Sequence, residues 1–352
     1  MKLNKLSVSF EAQDMHFLKK YGFFRAAKMV KNHFKAYNTP FINDTYQLAF
    51  ELKTFRKKLF EISKNTKKHY KQKILHKKNG GIRIINSPDA ELKFIQSNIL
   101  KNILNKIEAS PYAMAYIKGK RLSDNASPHI NHKYLLKMDI TDFFGSITYL
   151  QVLSTAFNSK MYTAQIGAML TSLCCLNEAL PQGAPTSPML SNIVMKNFDN
   201  TLGSWCKKRN ITYTRYCDDL TFSADTPLYN VYLKAKSMLE DGGFEVNEKK
   251  TKFVKNTASQ RVTGLTVNQK VTVPREYKRQ LRSDVYYALK FGLDDSIIKG
   301  NKTEFMQNGY PDGRRYFNHL QGKINYILSV EPENDWFSNA ANSLEWKYYY
   351  SV

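Results

Sequence analysis

Hydrophobic residues recur at helical spacing through the first 75 positions, between polar and basic residues. Residues 71–85 then change to two short strand-like runs on either side of Asn79, Gly80 and Gly81, which tolerate the positive φ of a hairpin turn. After Pro88, a stripe of apolar residues predicts an amphipathic helix that faces the core: Leu92, Ile95, Ile99, Leu100, Ile103 and Leu104. The first part of the chain is therefore predicted to hold basic helices, a hairpin and a core-facing helix.

The middle of the chain alternates between strand and helix patterns. Residues 134–140 have the length and apolar content of a buried strand, and residues 213–223 form two aromatic and β-branched runs typical of a hairpin. The Pro- and Gly-rich residues 180–188 predict a loop leading into a helix with Ser187 as its N-cap and Pro188 at its first position. A helix at 229–239, an edge strand at 244–247, short strands at 261–267 and 271–273, and helical stripes over 275–352 follow. These patterns predict an α+β fold.

The charge of the chain indicates its kind of partner. Lys and Arg exceed Asp and Glu by 53 − 30 = 23, and so large an excess favours a polyanion, with nucleic acid ahead of membrane. The 22 Tyr and 21 Phe residues suit both core packing and stacking on bases. The dense basic stretch at residues 56–71 either contacts phosphate, which the net charge favours, or forms a solvated helix face.

The four cysteines, Cys174, Cys175, Cys206 and Cys217, include no C-x-x-C pair. Free thiols in a reducing compartment, without a structural zinc, are therefore expected. The first residues lack an apolar signal region, and no window of about 18 apolar residues occurs in the chain. We expect a soluble, cytoplasmic protein without membrane contact.

Three aspartates stand out at the ends of predicted strands. Asp139 ends the strand at 134–140, and Asp218 and Asp219 lie at the tip of the later hairpin. A buried acid is costly unless it is paired or metal-bound, and adjacent carboxylates repel each other. The alternatives are a polar turn for Asp218 and Asp219 and a helix cap for the nearby Asp142.

These acids lie 218 − 139 = 79 residues apart, so only a folded sheet with neighbouring strands brings them together. Three carboxylates converging on a sheet edge are the ligand set for two Mg²⁺ ions about 3.5–4 Å apart, which stabilise the attacking and leaving oxygens of a phosphoryl displacement. The pattern predicts a polymerase-type palm.

Two other segments would serve such a palm. The Pro- and Gly-rich loop presents the Gln182 side chain and free backbone N–H groups beside a helix N-terminus, a setting that favours anions. The first hairpin has a cationic tip, where Lys77, Lys78 and Arg83 are suited to gripping a triphosphate. An ordinary charged hairpin is the alternative.

The order of these motifs resembles that of reverse transcriptases over about residues 70–270. The matching segments are Met138-Asp139-Ile140 with Phe143-Phe144, residues 180–188, Tyr216-Cys217-Asp218-Asp219, and Gly243 through Asn247 to Lys250-Thr251. In addition, Asn125-Ala126-Ser127-Pro128-His129 resembles the N-A-x-x-H element of bacterial retron reverse transcriptases, and Val262-Thr263-Gly264 resembles their V-T-G element. Together the two elements indicate a retron enzyme.

The resemblance implies roles for the matching residues. Asp139 and Asp218 would ligate the metal ions, and Asp219 would support the site. Phe144 would be an aromatic gate against the sugar 2′-hydroxyl, which favours deoxynucleotides, and Lys250 would protonate the leaving pyrophosphate. Gln182 and Gly183 would line the incoming nucleotide, and Arg83 and Lys78 would contact its phosphates. The residues that would contact RNA are Asn125, His129, Val262, Thr263 and Gly264. Cys217 stands where the family more commonly has Ala, and little consequence is expected.

The resemblance also implies an architecture and a substrate. A right-hand polymerase would have an N-terminal basic helical region at 1–70, fingers at 71–133 with further fingers elements within the palm, a palm at 134–272 and a helical thumb at 273–352. A retron enzyme recognises its own structured noncoding RNA, primes from a guanosine 2′-hydroxyl in it, and copies part of it from deoxynucleotides into a branched RNA–DNA molecule. Family members commonly act in phage defence with an accessory effector protein.

Two other functions remain as alternatives. The nearer one is another prokaryotic reverse transcriptase, such as a group II intron enzyme, although no endonuclease-like Cys/His cluster occurs in the sequence. The other is an RNA-binding protein that keeps a palm without chemistry. The presence of all three acids and Gln182 argues against that function.

Overall fold

The computed structural model of the chain describes residues 15–76 and 80–350. The chain forms two compact units. Unit 1 contains residues Met1–Lys120, Leu136–Phe222 and Leu228–Lys252, and unit 2 contains residues Arg121–Leu135, Ser223–Pro227 and Phe253–Val352. Each unit therefore draws on three separate segments of the chain.

Helices and strands are both well represented in the described residues. The helices are α1 (Met15–Tyr21), α2 (Phe23–Tyr37), α3 (Thr45–Glu51), α4 (Arg56–Lys64), α5 (Ala90–Asn102), α6 (Leu122–Ala126), α7 (Tyr149–Thr155), α8 (Ala164–Cys174), α9 (Ser187–Val194), α10 (Lys196–Lys207), α11 (Tyr229–Asp241), α12 (Arg275–Phe291), α13 (Leu293–Lys299), α14 (Gly313–Val330) and α15 (Asp335–Tyr350). The strands are β1 (Tyr70–His76), β2 (Ile82–Pro88), β3 (Tyr134–Asp139), β4 (Thr212–Tyr216), β5 (Asp219–Ala224), β6 (Lys252–Lys255), β7 (Arg261–Val262), β8 (Leu265–Thr266), β9 (Met306–Gln307) and β10 (Tyr310–Pro311). The predicted α+β class is confirmed.

The predicted first hairpin and the helix after it are both present in unit 1. Strands β1 and β2 pair antiparallel from Tyr70 opposite Pro88 to His76 opposite Ile82. The side chain of Asp89 then caps α5 by accepting a hydrogen bond from the backbone N–H of Leu92 at 2.9 Å. Both α4 and α5 pack against α8, so the base of the hairpin is attached to the helical layer of unit 1.

The central sheet has the strand order β4-β5-β3-β6. Strands β4 and β5 are joined by only Cys217 and Asp218, so they form a tight antiparallel hairpin. In β4, Tyr213, Thr214 and Arg215 are all buried, which shows that both faces of this strand are covered. Helix α10 packs against β4. The predicted edge strand at 244–247 is reduced to an isolated bridge between Ile140 and Val246.

Unit 2 is mainly helical over the predicted helical residues 275–352. Apolar stripes on α12, α14 and α15 meet in one core that includes Leu281, Val285, Leu320, Ile324 and Phe337. The short pair β9 and β10 interrupts the helices, and the sequence pattern did not predict it. The single strand predicted at 261–267 is wrong, because the chain turns at Thr263 and Gly264 and strands β7 and β8 pair with each other. Its predicted pairing with 271–273 is present as a bridge between Thr266 and Thr272.

Two other expectations concern the cysteines and membranes. All four cysteines lie among the described residues and are buried free thiols, as predicted. Among residues 15–76 and 80–350, no helix is both long and apolar enough to cross a membrane.

Candidate active site

Two distant parts of the sequence meet where β3 ends. Asp139 is the last residue of β3 and is 7% exposed. The next residue, Ile140, donates its backbone N–H to the carbonyl oxygen of Asp218 at 3.0 Å. Asp218 lies in the β4–β5 turn, and Asp219 begins β5. The predicted convergence of the three acids on neighbouring strands is therefore confirmed.

The acids influence one another electrostatically. Burial raises the pKa of Asp219, and the nearby charges of Asp218 and Asp139 raise it further, while Lys137 acts in the opposite direction. The carboxyl of Asp219 is harder to ionise because it is buried and because other carboxylates lie beside it, so negative charge is concentrated at this edge of the sheet. Such a cluster is stabilised by a cation.

Lys250 supplies a positive charge to the cluster. Its ammonium donates to Oδ1 and Oδ2 of Asp139 at 2.8 and 2.9 Å, and this hydrogen bonding raises the pKa of Lys250. The backbone places the lysine, because the N–H of Asn247 donates to the carbonyl of Asp139 and the N–H of Lys250 donates to the carbonyl of Asn247. Lys250 is thus attached to the same point of the sheet as the acid that it neutralises.

The donor set at this edge fits a hard divalent cation in type. Asp139, Asp218 and Asp219 offer carboxylate oxygens, which are the ligands such cations prefer. Over the described ranges 15–76 and 80–350, however, no three or more His, Cys, Asp or Glu side chains are grouped so as to hold a metal ion. The carboxylate oxygens of Asp139 contact the ammonium of Lys250, and metal binding by the three acids stays a prediction.

The Pro- and Gly-rich loop is joined to the first hairpin of unit 1. The N–H of Asn86 donates to the carbonyl of Gln182 at 2.8 Å. Gly183 has a φ of 128°, and a Cβ at this position would lie only 2.5 Å from the carbonyl oxygen of Asn86. Glycine is required here both by its backbone conformation and by this close approach. The loop and the base of the hairpin therefore hold each other in place.

The helix after this loop begins close to the predicted position, but its cap is different. Helix α9 starts at Ser187 with Thr186 as the N-cap residue, and no side chain caps it. The hydroxyl of Ser187 donates instead to the carbonyl of Pro181 at 2.7 Å. The predicted Ser187 cap is wrong, because the hydroxyl closes the loop rather than the helix.

The predicted helix cap at Asp142 is also wrong. Asp142 has a φ of 41° and is exposed within a run of turns. The next helix, α7, begins later and is capped by Thr148, which accepts from the N–H of Gln151. The turn between β3 and α7 separates Asp142 from any helix N-terminus.

The other predicted nucleotide contacts occupy varied positions in unit 1. Phe144 is half-buried, and its ring centroid lies 5.5 Å from that of Phe143. Arg83 is exposed on β2, opposite Leu75. Lys78, like Lys77, lies outside the described residues. A nucleotide-binding role for these residues stays a prediction.

Comparison with known proteins decides the family. The sequence profile of the reverse transcriptase (RNA-dependent DNA polymerase) family matches residues 75–268, which is more than half of the chain. The chain belongs to the reverse transcriptase family. Members of this family depend on divalent metal ions, in agreement with the carboxylate donors at the sheet edge.

Several proteins with similar sequences are retron reverse transcriptases. The chain is 33% identical to the Retron Ec86 reverse transcriptase of Escherichia coli over 258 residues, which cover 72% of this chain and 73% of that protein. It is 31% identical to the Retron Mx65 reverse transcriptase of Myxococcus xanthus, over 76% of this chain and 62% of that protein. It thus spans about three quarters of the first relative and less than two thirds of the second. The chain is an RNA-directed DNA polymerase of the retron type, as its motifs indicated.

A solved structure of Candida albicans telomerase with a fragment of telomeric RNA is similar at a TM-score of 0.43 and 12% identity. The match covers 78% of this chain and 62% of that one. The family assignment does not depend on this distant likeness.

The two retron-type elements of this reverse transcriptase contact each other within unit 2. The side-chain amide of Asn125 donates to the hydroxyl of Thr263 at 3.4 Å, and Thr263 and Gly264 form a turn with φ values of 46° and 84°. His129 is fully buried and lies 2.8 Å from the Ser223 hydroxyl; burial lowers the pKa of His129 to about 3, so the ring is neutral.

Their burial bears on the predicted RNA contacts. Asn125, His129 and Val262 have at most 1% of their surface exposed. Direct contact of these three side chains with RNA would require a rearrangement of unit 2. Contact of Thr263 and Gly264 with RNA would require a smaller rearrangement, because these two residues lie in the turn. RNA binding by these elements stays a prediction, and their observed role is to connect two segments of unit 2.

One group of residues behind the Asp218 turn was missed from the sequence. Arg215 and Asp199 form an ion pair at 2.6 Å whose side chains are fully buried. Asn192 and Tyr213 also contact this pair. One signal in the sequence could have revealed this group. The residues beside Arg215 do not alternate regularly between polar and apolar, and this lack of alternation indicates a strand that is buried on both faces.

Proposed function

We propose that Asp139, Asp218 and Asp219 bind two Mg²⁺ ions and that this reverse transcriptase copies RNA into DNA by two-metal phosphoryl transfer. The observation that supports this most directly is the hydrogen bond from Ile140 to Asp218, because it brings acids from separate strands to one edge. The metals would stabilise the charge that develops on the attacking and leaving oxygens. Asp139, Asp218 and Asp219 would supply the oxygens that hold them.

Lys250 is proposed as the group that protonates the leaving pyrophosphate. Its pKa is raised by the hydrogen bond to Asp139, so the ammonium carries its proton throughout the neutral range. The side chain is 59% exposed, which leaves it free to turn from Asp139 toward a bound triphosphate. The lysine would therefore both neutralise the charge of Asp139 and serve the reaction.

The nucleotide would lie between the Gln182–Gly183 loop and the first hairpin. The hydrogen bond between Asn86 and Gln182 supports this proposal, because it joins the two elements that the substrate must contact. Arg83, together with Lys78, would hold the phosphates, and Phe144 would exclude a 2′-hydroxyl. Replacement of Phe144 by Ala should relax discrimination against ribonucleotides, and unchanged sugar selectivity would refute this role.

The first test removes one acid. Asp218→Ala should abolish Mg²⁺-dependent deoxynucleotide incorporation on a primed RNA template while leaving RNA binding largely intact. Asp241→Ala, at the exposed end of α11, is the matched control and should retain full activity. Undiminished synthesis by Asp218→Ala would overturn the two-metal proposal, and loss of synthesis in both variants would show that the assay does not report on the site.

We further propose the retron product. The enzyme would recognise its own structured noncoding RNA, prime from a guanosine 2′-hydroxyl and form a branched RNA–DNA molecule, with a role in phage defence and an accessory effector protein. The supporting observations are the similarity to retron reverse transcriptases and the contact between the two retron-type elements. Protein expressed with its flanking DNA should co-purify with a short RNA–DNA hybrid that changes mobility after debranching. Recovery of only unbranched host RNA would favour a group II intron-like enzyme.

The domain roles and the basic N-terminal region complete the proposal. We assign fingers to 71–133, the palm to 134–272 and the thumb to 273–352, with residues 1–70 contacting RNA. Arg56 supports the last assignment, since its guanidinium carbon lies 4.4 Å from the ring centroid of Tyr46 and 5.5 Å from that of Phe60. Phe55 beside it is 77% exposed. Exposed rings among cations are suited to unpaired bases and phosphates.

A further inference from the structure

A fully buried ion pair lies directly behind the turn that carries Asp218. Arg215 is in β4 and Asp199 is in α10, and both are 0% exposed. The guanidinium donates from Nε to Oδ1 of Asp199 at 2.9 Å and from Nη2 to Oδ2 at 2.6 Å. This two-point contact fixes the plane of the guanidinium.

The remaining donors of Arg215 connect the pair to its surroundings. Nη1 donates to the carbonyl of Cys217 at 3.0 Å, and Nη2 donates to Oδ1 of Asn192 at 3.2 Å. Asn192 in turn donates to the carbonyl of Ala115 at 2.9 Å. Three elements, the β4–β5 turn, α9 and α10, therefore meet at one side chain.

The contact with Cys217 concerns the residue immediately before Asp218. Cys217 has a φ of 61°, in the left-handed region that costs a residue with a side chain about 1–2 kcal/mol. Its carbonyl is held by Arg215, and the carbonyl of Asp218 is held by the N–H of Ile140. The carbonyls of the two successive peptides on either side of the Asp218 Cα are therefore both held by hydrogen bonds, which stabilise a strained turn in one orientation.

Stability alone gives a weak reason for an ion pair at this depth. Desolvation of two charges offsets much of their attraction, and well-packed apolar residues in the same place are often equally stable. Apolar side chains would leave the carbonyl of Cys217 without its donor. Lysine would also be inadequate, because a single ammonium lacks the planar fork that reaches Asp199, Asn192 and Cys217 together.

We propose that Arg215 is a positioning residue of the polymerase reaction: through the carbonyl of Cys217 it sets the direction in which Asp218 presents its carboxylate. This inference rests on the proposed role of Asp218 in metal binding. Arg215 does not touch the substrate or the metal, and its effect is transmitted by one peptide unit.

The test is the variant Arg215→Lys, which keeps the buried positive charge and loses the fork. We expect a folded protein whose kcat falls about 10- to 100-fold, as for a small displacement of a reacting group, while the KM for deoxynucleotide stays within about twofold. The Mg²⁺ concentration for half-maximal rate should rise several-fold, and Mn²⁺ binding followed by electron paramagnetic resonance should weaken in parallel.

Gln96→Met is the matched control for a loss of buried hydrogen bonds. Gln96 is also 0% exposed, and its amide donates to Tyr70 and to the carbonyl of Leu173, elsewhere in unit 1. It should lower the melting temperature without altering the metal dependence. If Arg215→Lys behaves like Gln96→Met, the positioning role is refuted.

If Arg215→Lys does not fold, the test uses Asn192→Ala instead. The Asn192→Ala variant removes one acceptor of the guanidinium and keeps the ion pair of Arg215 and Asp199. A raised Mg²⁺ requirement would support the proposal, and an unchanged one would overturn it. Asp218→Ala separates this inference from the proposed function. Full activity of that variant would refute metal binding by Asp218, whereas loss of activity there with a normal Arg215→Lys enzyme would refute only the role of Arg215.

Discussion

Two ion pairs lie near the turn that carries Asp218 in this reverse transcriptase, and they differ in their access to water. In the pair of Lys250 and Asp139, the lysine side chain is 59% exposed and the aspartate side chain 10% exposed. In the pair of Arg215 and Asp199, both side chains are fully buried. Because Lys250 is exposed, its pair with Asp139 is able to exchange partners, as the proposed metal binding requires, whereas the buried pair is held in a single arrangement.

The largest effect is expected from breaking the buried pair. Asp199→Ala leaves the Arg215 charge uncompensated and should lower the free energy of unfolding by about 3–5 kcal/mol. Urea denaturation of the metal-free protein measures this. The double variant Asp199→Leu with Arg215→Met should be less destabilised than the single variant, because no charge remains buried. A double variant as unstable as Asp199→Ala would contradict this explanation.

Breaking the exposed pair should affect the reaction rather than the fold. Lys250→Met should lower the free energy of unfolding less than Asp199→Ala does, because Lys250 is 59% exposed and only Asp139 of this pair is buried. Its single-turnover rate should fall about 10²-fold or more, as expected for loss of a general acid. Lys236→Met, which removes a lysine paired with Glu248 at 2.6 Å, is the control and should polymerise normally. An unchanged rate in Lys250→Met would remove it from the mechanism.

A smaller effect is expected from relieving the crowding of carboxylates. Burial and then the neighbouring acids raise the pKa of Asp219 above its ordinary value of 3.8, so the folded protein binds this proton more tightly than the unfolded chain does. Its contribution to stability is therefore lost as the pH rises through the interval between these two pKa values. Asp219→Asn should raise the melting temperature of the metal-free protein at pH 7 by about 1–3 °C.

The pH dependence supplies the check on this prediction. The gain of Asp219→Asn should shrink as the pH falls through the interval from the raised pKa to the ordinary value of 3.8, because the wild-type carboxyl is protonated in both states only below that value. Asp241→Asn is an exposed control and should show no gain at either pH. A melting temperature that is unchanged or lower in Asp219→Asn at pH 7 would show that the acids are not in conflict.

The smallest effect is expected at Cys217. The buried thiol, whose pKa is raised by burial to about 12, stays protonated and accepts a hydrogen bond from Tyr116 at 3.3 Å. Cys217→Ala should keep the rate within about twofold and cost about 1 kcal/mol of stability. Cys217→Val should lose more, because a β-branched residue is unfavourable at positive φ. Equal behaviour of the two variants would indicate that the turn is not strained.

The sequence was sufficient for the arrangement of the acids. Asp139, Asp218 and Asp219 occur at strand ends, and alternating and apolar runs identified those strands, so their meeting on one edge followed from sheet geometry. The first hairpin and α5 were predicted for the same reason, since spacing of apolar residues and a turn of Asn and Gly are local signals. The order of the motifs along the chain, which resembles that of reverse transcriptases, then indicated how these elements belong together.

Interactions between distant polar groups were beyond such reasoning. Nothing local indicates that Arg215 meets Asp199, because the two lie on different elements and a strand arginine is usually exposed. The wrong caps have a related cause: Asp142 and Ser187 both suit a cap by residue type, but the surrounding turns direct their side chains elsewhere. The fold determines which polar groups pair with each other, and this pairing cannot be predicted from the residue type at a single position.

The junction of Asn86 with Gln182 has a mechanical consequence for the first hairpin. Gly183 lies against the backbone of Asn86, so this contact is a hinge point for the hairpin. The strand segment from Asn86 to Ile82 is about 13 Å long at about 3.3 Å per residue. A rotation of about 10° at the hinge point would move Ile82 by about 2 Å, the scale of a rearrangement around a ligand. A side chain at position 183 would force the loop and the hairpin apart and shift the hinge point.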